Sequence, residues 1–277
     1  MAHVIQISDT HLSPLAPTAN QQWEHVVAYI HQHQPDLVVH TGDISLNGAG
    51  DETELDFALE RLNQLSIPWL AVPGNHDVGD VGHRQQPINA DRQEAFRQRF
   101  GTGFWVRVLD GWSLIGLDIQ TLSAGDPASE THWEWFEAEL QSTSNPISVF
   151  LHRPLTPDPT TPGAGALDQT EQWYVLQPAR NRLQKLITEA GVRVVASGHL
   201  HQPFIWDEGD LRHVWASSTW AYLHDDMQPK AAEGAVTLVH HQFERDGAHS
   251  CRQVAPDTLE QLIFDHDFES PYNSLFT

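Results

Sequence analysis

The sequence predicts a layered α/β domain, because short apolar runs that suit buried strands alternate with longer stretches that suit amphipathic helices. Residues 37–39 show the strand pattern: a continuous apolar run lies between Pro35 and Gly42, as in strands of parallel sheets that are buried on both faces. Residues 18–33 show the helix pattern, with their apolar side chains on one face. A chain of 277 residues is long enough for one large domain of this class or for two small ones.

The same patterns assign an element to most of the chain. In chain order we predict a strand over 3–7, a helix over 18–33 capped by Thr18, a strand over 37–39, a helix over 53–65, a strand over 68–72, a helix over 91–100, strands over 105–109 and 112–118, a helix over 130–141, a strand over 146–151, a helix over 180–190, and strands over 192–197, 204–206, 211–216 and 234–243. Asp110 and Gly111 join two of these strands as a hairpin. Prolines and glycines predict an irregular loop over 156–165.

The composition limits what the protein can bind. The formal charge is -22, from 37 acidic and 15 basic residues, and a field of that sign repels nucleic acid polymers and anionic membranes. The charge does not exclude small anionic substrates, because bound cations can reverse the sign of the field locally. The 18 histidines raise the expectation of a metal site, whereas Cys251, the only cysteine, excludes an intrachain disulfide and a thiolate metal cage.

The N-terminal sequence does not indicate a secretion signal. It runs from Met1 directly into a predicted strand, without a charged region followed by an apolar one. No apolar run approaches the ~20 residues that a membrane-spanning helix needs. We therefore expect a cytoplasmic protein with no membrane partner, and the sequence leaves its oligomeric state open, a homo-oligomer included.

Potential ligands follow five of the predicted strands. They are Asp9 and His11, Asp43, Asn75 and His76, His152, and His199 with His201. Because the carboxyl ends of parallel strands meet at one edge of a sheet, these side chains can share one crevice. We expect Asp43 to bridge two cations, since a carboxylate has about four lone-pair sites. A donor set of nitrogen and oxygen favours manganese, iron, zinc or cobalt over calcium or magnesium.

These residues carry a resemblance to a known family. The sequence contains Asp9-Thr10-His11, Gly42-Asp43, Gly74-Asn75-His76-Asp77, His152 and Gly198-His199-Leu200-His201, in that order. This pattern resembles that of the calcineurin-like metallophosphoesterases, and it spans residues 9–201. The resemblance implies a four-layer α/β/β/α sandwich with mixed sheets, formed here by a metallophosphoesterase domain over 1–255. Residues 256–277 would be a C-terminal tail or arm that packs on the domain or on a partner.

The resemblance also implies a role for each matched residue. Asp9, His11 and His201 would hold one metal ion, Asn75, His152 and His199 would hold the other, and Asp43 would bridge them. The two ions would be divalent or mixed-valence, of the manganese, iron or zinc type, and a bridging hydroxide would attack the phosphorus in line. His76 would face the phosphoryl group as a catalytic residue, and Asp77 would orient it by accepting a hydrogen bond from its ring.

Differences between this sequence and related branches of the family narrow the range of candidate substrates. Residues 44–47 lack the sequence that follows the aspartate in protein phosphatases, and Leu46 stands where purple acid phosphatases carry a tyrosine ligand. The chain is most similar to bacterial class III cyclic nucleotide phosphodiesterases and related glycerophosphodiesterases. However, members that act on cyclic nucleotides often carry Asp-Arg directly after the Gly-Asn-His-Asp block. This chain has Val78-Gly79-Asp80 at that place. The candidate substrate-binding residues beside the strand ends are His83, Arg84, Arg153 and His224.

Three functions follow from this comparison. The first is hydrolysis of a small phosphodiester, of the cyclic nucleotide or glycerophosphodiester type. The second is hydrolysis of a phosphomonoester in a small metabolite. The third is a catalytically silent metal-binding module, which would have no use for the non-ligand His76.

Overall fold

The computed structural model describes residues 1–157 and 171–264. Its strands are β1 Ala2–Ile7, β2 Leu37–His40, β3 Trp69–Ala71, β4 Trp105–Leu109, β5 Trp112–Leu117, β6 Ile147–Leu151, β7 Val194–Ser197, β8 Phe204–Glu208, β9 Leu211–Trp215, β10 Ala221–Leu223, β11 Leu238–Phe243, β12 His249–Val254 and β13 Leu262–Phe264. Its α-helices are α1 Pro17–His33, α2 Glu52–Leu62, α3 Asn75–Val78, α4 Ala90–Phe100, α5 Ile119–Ala124, α6 Pro127–Ser142 and α7 Ala179–Ala190. All the strands that were predicted to precede a ligand are present.

Two mixed sheets form the centre of the described fold. The first has the strand order β12-β11-β1-β2-β3, and the second has the order β4-β5-β6-β7-β9-β8. Strands β1, β2 and β3 are parallel, as are β5, β6, β7 and β9, while β11, β12, β4 and β8 run antiparallel to their neighbours. The parallel strands therefore deliver their carboxyl ends to a common edge of each sheet.

The layers are visible in the hydrophobic clusters. One cluster lies between the sheets and joins β1 and β2 to β5, β6 and β7; it includes Val4, Val39, Leu114, Phe150 and Ala196. A second cluster packs α1, α2 and α4 on the outer face of the first sheet. A third packs α5, α6 and α7 on the outer face of the second sheet, with Trp133 buried and Trp135 packed against it. The predicted α/β/β/α sandwich is confirmed.

Several predicted boundaries are wrong by a few residues. Thr18 does not cap α1, because the helix begins at Pro17 and Ala16 is its cap residue. The Thr18 hydroxyl instead accepts a hydrogen bond from Trp220 Nε1 at 3.0 Å. Helix α2 ends at Leu62 rather than at 65, and β11 begins at Leu238 rather than at 234. Most of the predicted loop over 156–165 lies outside the described residues.

The C-terminal region is described as far as residue 264. Strand β13 pairs in parallel with β10, and Phe264 is buried in a cluster with Trp220. Residues 256–264 thus pack on the rest of the fold, while 265–277 lie outside the described residues. The division of the chain at 255 stays a prediction. Within the described ranges, no helix has the length and apolarity to cross a bilayer.

Candidate metal centre and active site

The seven predicted ligands come together at one edge of the two sheets. Asp9 and His11 follow β1, Asp43 follows β2, Asn75 follows β3, His152 follows β6, and His199 and His201 follow β7. Five of these side chains are buried, and Asn75 and His199 are half-buried. The topology explains the convergence, because each ligand sits just beyond the carboxyl end of a parallel strand.

One group of ligands consists of Asp9, His11 and His201. The Nε2 atoms of His11 and His201 lie 3.2 Å apart, and His201 Nε2 lies 3.4 Å from Asp9 Oδ1. The other carboxylate oxygen of Asp9 accepts a hydrogen bond from the backbone N–H of His199 at 3.0 Å. This bond ties the ligands that follow β1 to those that follow β7.

The second group surrounds His152. Its Nε2 atom lies 3.2 Å from Asn75 Oδ1, 3.1 Å from His199 Nδ1 and 3.2 Å from Asp43 Oδ2. Asp43 also has a carboxylate oxygen within 4.8 Å of ligand nitrogens of His11 and His76. The Asp43 carboxylate therefore lies between the two groups, where a bridging ligand would have to be.

The histidine rings are oriented by backbone carbonyls. His152 Nδ1 lies 2.8 Å from Thr41 O, His201 Nδ1 lies 2.7 Å from Ala221 O, and His199 Nε2 lies 3.1 Å from the Gln172 carbonyl oxygen. A carbonyl accepts only, so each of these nitrogens carries the proton, and the opposite nitrogen of a neutral ring presents a lone pair to the centre. Lone pairs and carboxylate oxygens then converge within contact distance. Such a donor set fits metal cations.

The backbone at the ligands is unusual. Asp9, His11, Asp43, His199 and His201 have φ angles of 52°, 45°, 53°, 70° and 49°. These five residues make up most of the described non-glycine residues with positive φ, the others being Gln34 and Asp110. Left-handed backbone disfavours most side chains, and it is concentrated at functional sites. Each ligand-bearing turn is held in a conformation that the tertiary structure must enforce.

Two motif glycines are required by close packing at this edge. A Cβ atom on Gly74 would overlap the side chain and backbone nitrogen of Asp43. A Cβ atom on Gly198 would overlap Ser8 Oγ and Asp9 Oδ2. The strand ends therefore approach one another so closely that only glycine fits between them.

His76 faces the same space without belonging to the predicted ligand set. Its Nδ1 atom lies 2.8 Å from Leu46 O, and its Nε2 atom lies 4.0 Å from Asp43 Oδ2. Its ring meets the His11 ring edge-on, with centroids 4.9 Å apart. The Leu46 carbonyl thus fixes the ring while Nε2 points toward the metal centre.

The predicted contact between Asp77 and His76 is wrong. The Asp77 carboxylate accepts hydrogen bonds from the backbone N–H groups of Ile44, Ser45 and Gly74 at 3.1, 2.9 and 2.9 Å, and from Ser45 Oγ at 2.7 Å. Asp77 lies in the short helix α3, and its side chain turns back to the backbone at the helix N-terminus. Its contacts join the turn that bears Asp43 to the turn that bears Asn75.

A cavity of about 210 Å³ opens over the centre. Its lining contains His11, Asp43, Asn75, His76, Asp80, His83, Arg153, Gln172, Trp173, His199, His201, Leu223 and Met227. Of the four candidate substrate-binding residues, His83 and Arg153 are in this lining. Arg84 is an exposed residue outside it, and His224, also outside it, is exposed and contacts Asp226 at 2.7 Å.

Arg153 is the most unusual side chain of the lining. It is 2% exposed and forms an ion pair with Asp80 through Nη2. Its Nε and Nη1 atoms are buried and have no hydrogen-bond partner among the described residues. Buried guanidinium N–H groups are costly to leave unsatisfied, so this arrangement favours an anionic ligand. The sequence did not indicate Asp80 or Trp173, because neither belongs to a ligand motif.

Burial and mutual charge set the ionisation of the centre. Burial holds the pKa values of His11 and His199 well below the ordinary value. Burial raises the pKa of Asp43, but the charges of His152 and His76 outweigh it, so the pKa of Asp43 is lowered. For His152, burial is outweighed by the Asp43 carboxylate, which raises its pKa to about 9. Cation binding would displace that proton.

Comparisons with known proteins agree with this geometry. The family model described as calcineurin-like phosphoesterase matches residues 2–203. A probable glycerophosphodiester phosphodiesterase of Arcobacter nitrofigilis is 30% identical over 212 residues, which cover 72% of this chain and 71% of that protein. A probable cyclic nucleotide phosphodiesterase of Synechococcus is 28% identical over 252 residues, or 88% and 89% of the two chains.

A solved structure has the same fold. The dimetal phosphatase from Danio rerio superposes with a TM-score of 0.59 at 12% identity, and the match covers 88% of this chain and 93% of that one. The family match extends over every motif that supplies a ligand. The chain belongs to the calcineurin-like phosphoesterase family and is a metal-dependent phosphoric ester hydrolase.

Proposed function

We propose that this protein hydrolyses a small phosphodiester with the help of two metal ions. Asp9, His11 and His201 hold one ion; Asn75, His152 and His199 hold the other. Asp43 contacts both. The observation that supports a pair of ions best is the position of Asp43, whose carboxylate takes part in both ligand groups. The ions are divalent or mixed-valence and of the manganese, iron or zinc type, since the donors are imidazole, carboxylate and amide groups.

When bound, the ion pair supplies hydroxide at neutral pH and neutralises charge on the phosphoryl oxygens. The chain's own residues supply position and a proton. Because His76 Nδ1 donates to Leu46 O, Nε2 carries a proton only in the imidazolium form. The Asp43 carboxylate oxygen Oδ2 lies 4.0 Å from this nitrogen. His76 then donates a hydrogen bond from Nε2 to a phosphoryl oxygen or to the departing oxygen.

Arg153 binds the anionic part of the substrate. Its Nε and Nη1 donors suit a non-bridging phosphoryl oxygen or a second anionic group. Asp80 fixes the guanidinium on its other side. Trp173, Leu223 and Met227 form the apolar part of the lining and exclude water from the cleavage site.

The preference for a diester rests on the two relatives reported above, whose names specify diester substrates. A cavity of about 210 Å³ suits a small molecule, and the charge of -22 opposes a nucleic acid polymer. The cytoplasmic location and the oligomeric state stay predictions.

The test compares two activated esters after metal analysis. The protein is loaded with manganese, and its turnover of bis(p-nitrophenyl) phosphate is compared with that of p-nitrophenyl phosphate. We expect two equivalents of metal and the higher kcat/KM on the diester. A strong monoester preference would assign the second function, and two equivalents of metal without any ester hydrolysis would assign the third. A panel of cyclic nucleotides and glycerophosphodiesters then identifies the substrate class.

A further inference from the structure

A second group of potential metal ligands lies away from the active-site cavity. It consists of His241 on β11 and of His249 and Cys251 on β12. One ligand atom from each residue lies within 4.8 Å of the other two. None of the three lines the cavity over the metal centre. We name this group the hairpin cluster.

The strand register brings the hairpin cluster together. In the antiparallel pair β11–β12, His241 is directly opposite Cys251, and His249 is opposite Phe243. Residues two apart on a strand point to the same face, so His249 and Cys251 both point toward the side that carries His241. Two paired strands hold the three side chains, which makes the arrangement rigid without any ligand.

The ring of His241 is fixed by Gln6. The Gln6 side-chain nitrogen donates to Thr41 Oγ1 at 3.1 Å and to Ser197 O at 3.0 Å, so its oxygen is the atom left to accept. That oxygen lies 3.0 Å from His241 Nε2, which therefore carries the proton. The lone pair of His241 Nδ1 points into the cluster, toward His249 Nε2 at 3.0 Å. Metal-bound histidines are oriented by such an outer acceptor.

The spacing and accessibility suit a small cation. Tetrahedral zinc, bound at about 2.0–2.1 Å by nitrogen and about 2.3 Å by sulfur, brings its ligand atoms to within about 3.3–3.8 Å of each other. The observed separation of 3.0 Å between the two imidazole nitrogens is close to this range. His241 is fully buried, whereas His249 and Cys251 are half-buried. The cluster is therefore partly accessible to solvent.

We propose that His241, His249 and Cys251 form a zinc site that is separate from the catalytic centre. A thiolate with two imidazoles selects a thiophilic or borderline ion such as zinc, unlike the nitrogen and oxygen donors of the active site. The ion joins β12, the edge strand of the first sheet, to its neighbour β11. One cysteine is too few for a thiolate cage, and the mixed site depends instead on the strand register.

The thiol must lose its proton to bind the ion. Burial raises the pKa of the Cys251 thiol to about 11, so the free thiol is protonated at neutral pH. Zinc uptake at this site therefore releases a proton and weakens as the pH falls. The Arg212 guanidinium pairs with Asp207, donates from Nη1 to His249 O at 3.1 Å and also forms a hydrogen bond with the Cys251 side chain.

Cobalt(II) gives a direct test, because Cys251 is the only cysteine in the chain. Any thiolate-to-cobalt charge-transfer band in the near ultraviolet must then come from this residue, whatever the active site binds. We expect the band in the wild type and in Asn75→Ala, and its loss in Cys251→Ser. Zinc retained after desalting should fall by one equivalent in Cys251→Ser and in His249→Gln. Ser250→Ala, an exposed position on the opposite face of β12, is the matched control and should retain both signals.

The alternative is a hydrogen bond between the two histidines with no ion. In that case the spectrum with cobalt is the same in the wild type and in Cys251→Ser, and the zinc content does not change. Either result would overturn the proposal. If His249→Gln fails to fold, as judged by circular dichroism, Cys251→Ser and Cys251→Ala alone decide the question, since both leave the two rings in place.

Discussion

His152 Nε2 and His199 Nδ1 lie 3.1 Å apart, although the opposite nitrogen of each ring already points to a backbone carbonyl. In the neutral rings these two atoms are both acceptors. Asn75 Oδ1, at 3.2 Å from His152 Nε2, adds a third. These three lone pairs therefore need a common cation between them. In the metal-free protein, the proton that Asp43 stabilises on His152 takes that place.

Replacement of Asn75 removes one of these donors. Asn75→Ala should lower the manganese content toward one equivalent and remove most of the turnover of bis(p-nitrophenyl) phosphate. Metal analysis after desalting checks the first effect, and steady-state kinetics checks the second. Asn75→Asp keeps an oxygen donor and is the matched control, with metal content close to the wild type. Full activity in Asn75→Ala would contradict the ligand assignment.

Replacement of His76 separates catalysis from metal binding. His76→Ala should lower kcat by about 10²–10³-fold, the usual effect of losing one preorganised donor to the transition state. Its metal content should equal that of the wild type, because Leu46 O orients the ring and His76 is not one of the predicted metal ligands. His83→Ala, at the cavity rim, is the control and should have the smaller effect. Loss of one metal equivalent in His76→Ala would make His76 a ligand.

Replacement of Asp77 should act on stability first. Asp77→Ala leaves three buried backbone N–H groups and one hydroxyl without their acceptor. We expect the free energy of unfolding to fall by about 3 kcal/mol or more, since hydrogen bonds to a charged group contribute about 1.5–3 kcal/mol each. Urea denaturation measures this, and metal affinity should fall with it. If Asp77→Ala has normal stability and loses only turnover, the result would support the predicted contact between Asp77 and His76 instead.

Arg153 should control substrate affinity. Arg153→Gln removes the charge and the Nε and Nη1 donors, so KM should rise at least tenfold while the metal content stays constant. Arg153→Lys keeps the charge but loses the planar fork, and should recover only part of the affinity. An unchanged KM in Arg153→Gln, in protein shown to be folded, would remove Arg153 from the substrate site.

His40 makes the metal-free protein sensitive to acid. Its Nδ1 accepts from Gly42 N at 3.2 Å, and its Nε2 donates to Thr10 Oγ1 at 3.0 Å, because that hydroxyl itself donates to Ile44 O. Burial lowers the pKa of His40 to about 3, below the ordinary 6.5. The unfolded chain therefore binds the proton first, and stability that is complete above pH 6.5 is lost as the pH falls toward 3.

The expected loss from this one group is about 1.4 kcal/mol per pH unit below 6.5. His40→Gln can donate and accept without titrating, so its stability should fall less steeply. Urea unfolding of chelator-treated wild type and His40→Gln between pH 7 and 5 measures the difference. Parallel pH profiles for the two proteins would assign the acid sensitivity to other buried histidines.

The order of the motifs predicted that these side chains converge, because each follows a strand and parallel strands end at a common edge. The four layers were predicted from the resemblance to the family. Neither could predict the direction in which Asp77 points, since adjacency in sequence does not show which backbone groups lie nearby in space. The ion pair between Arg153 and Asp80 joins residues 73 positions apart, and no local pattern signals it.

Strands β12 and β13 were not predicted from the sequence, for a related reason. Strand β12 reads His-Ser-Cys-Arg-Gln-Val, a mostly polar sequence that does not show the apolar alternation of a strand. It forms because β11 supplies a complete set of pairing partners. The hairpin cluster depends on that register, so it becomes visible only when the two strands are placed side by side. Strand β13 likewise depends on pairing with β10.

The left-handed turns at Asp9, His11, Asp43, His199 and His201 restrict how this centre could be re-engineered. A torsion of this kind costs roughly 1–2 kcal/mol for an ordinary L-residue, and aspartate, asparagine and histidine tolerate it better than most. Each of these positions thus has two requirements, the ligand atom that we propose for it and a side chain that tolerates the left-handed backbone. Substituting glutamate or cysteine at these positions to bind a different ion would carry this backbone cost. Asn75 and His152 do not have positive φ angles, so substitutions there would not carry it.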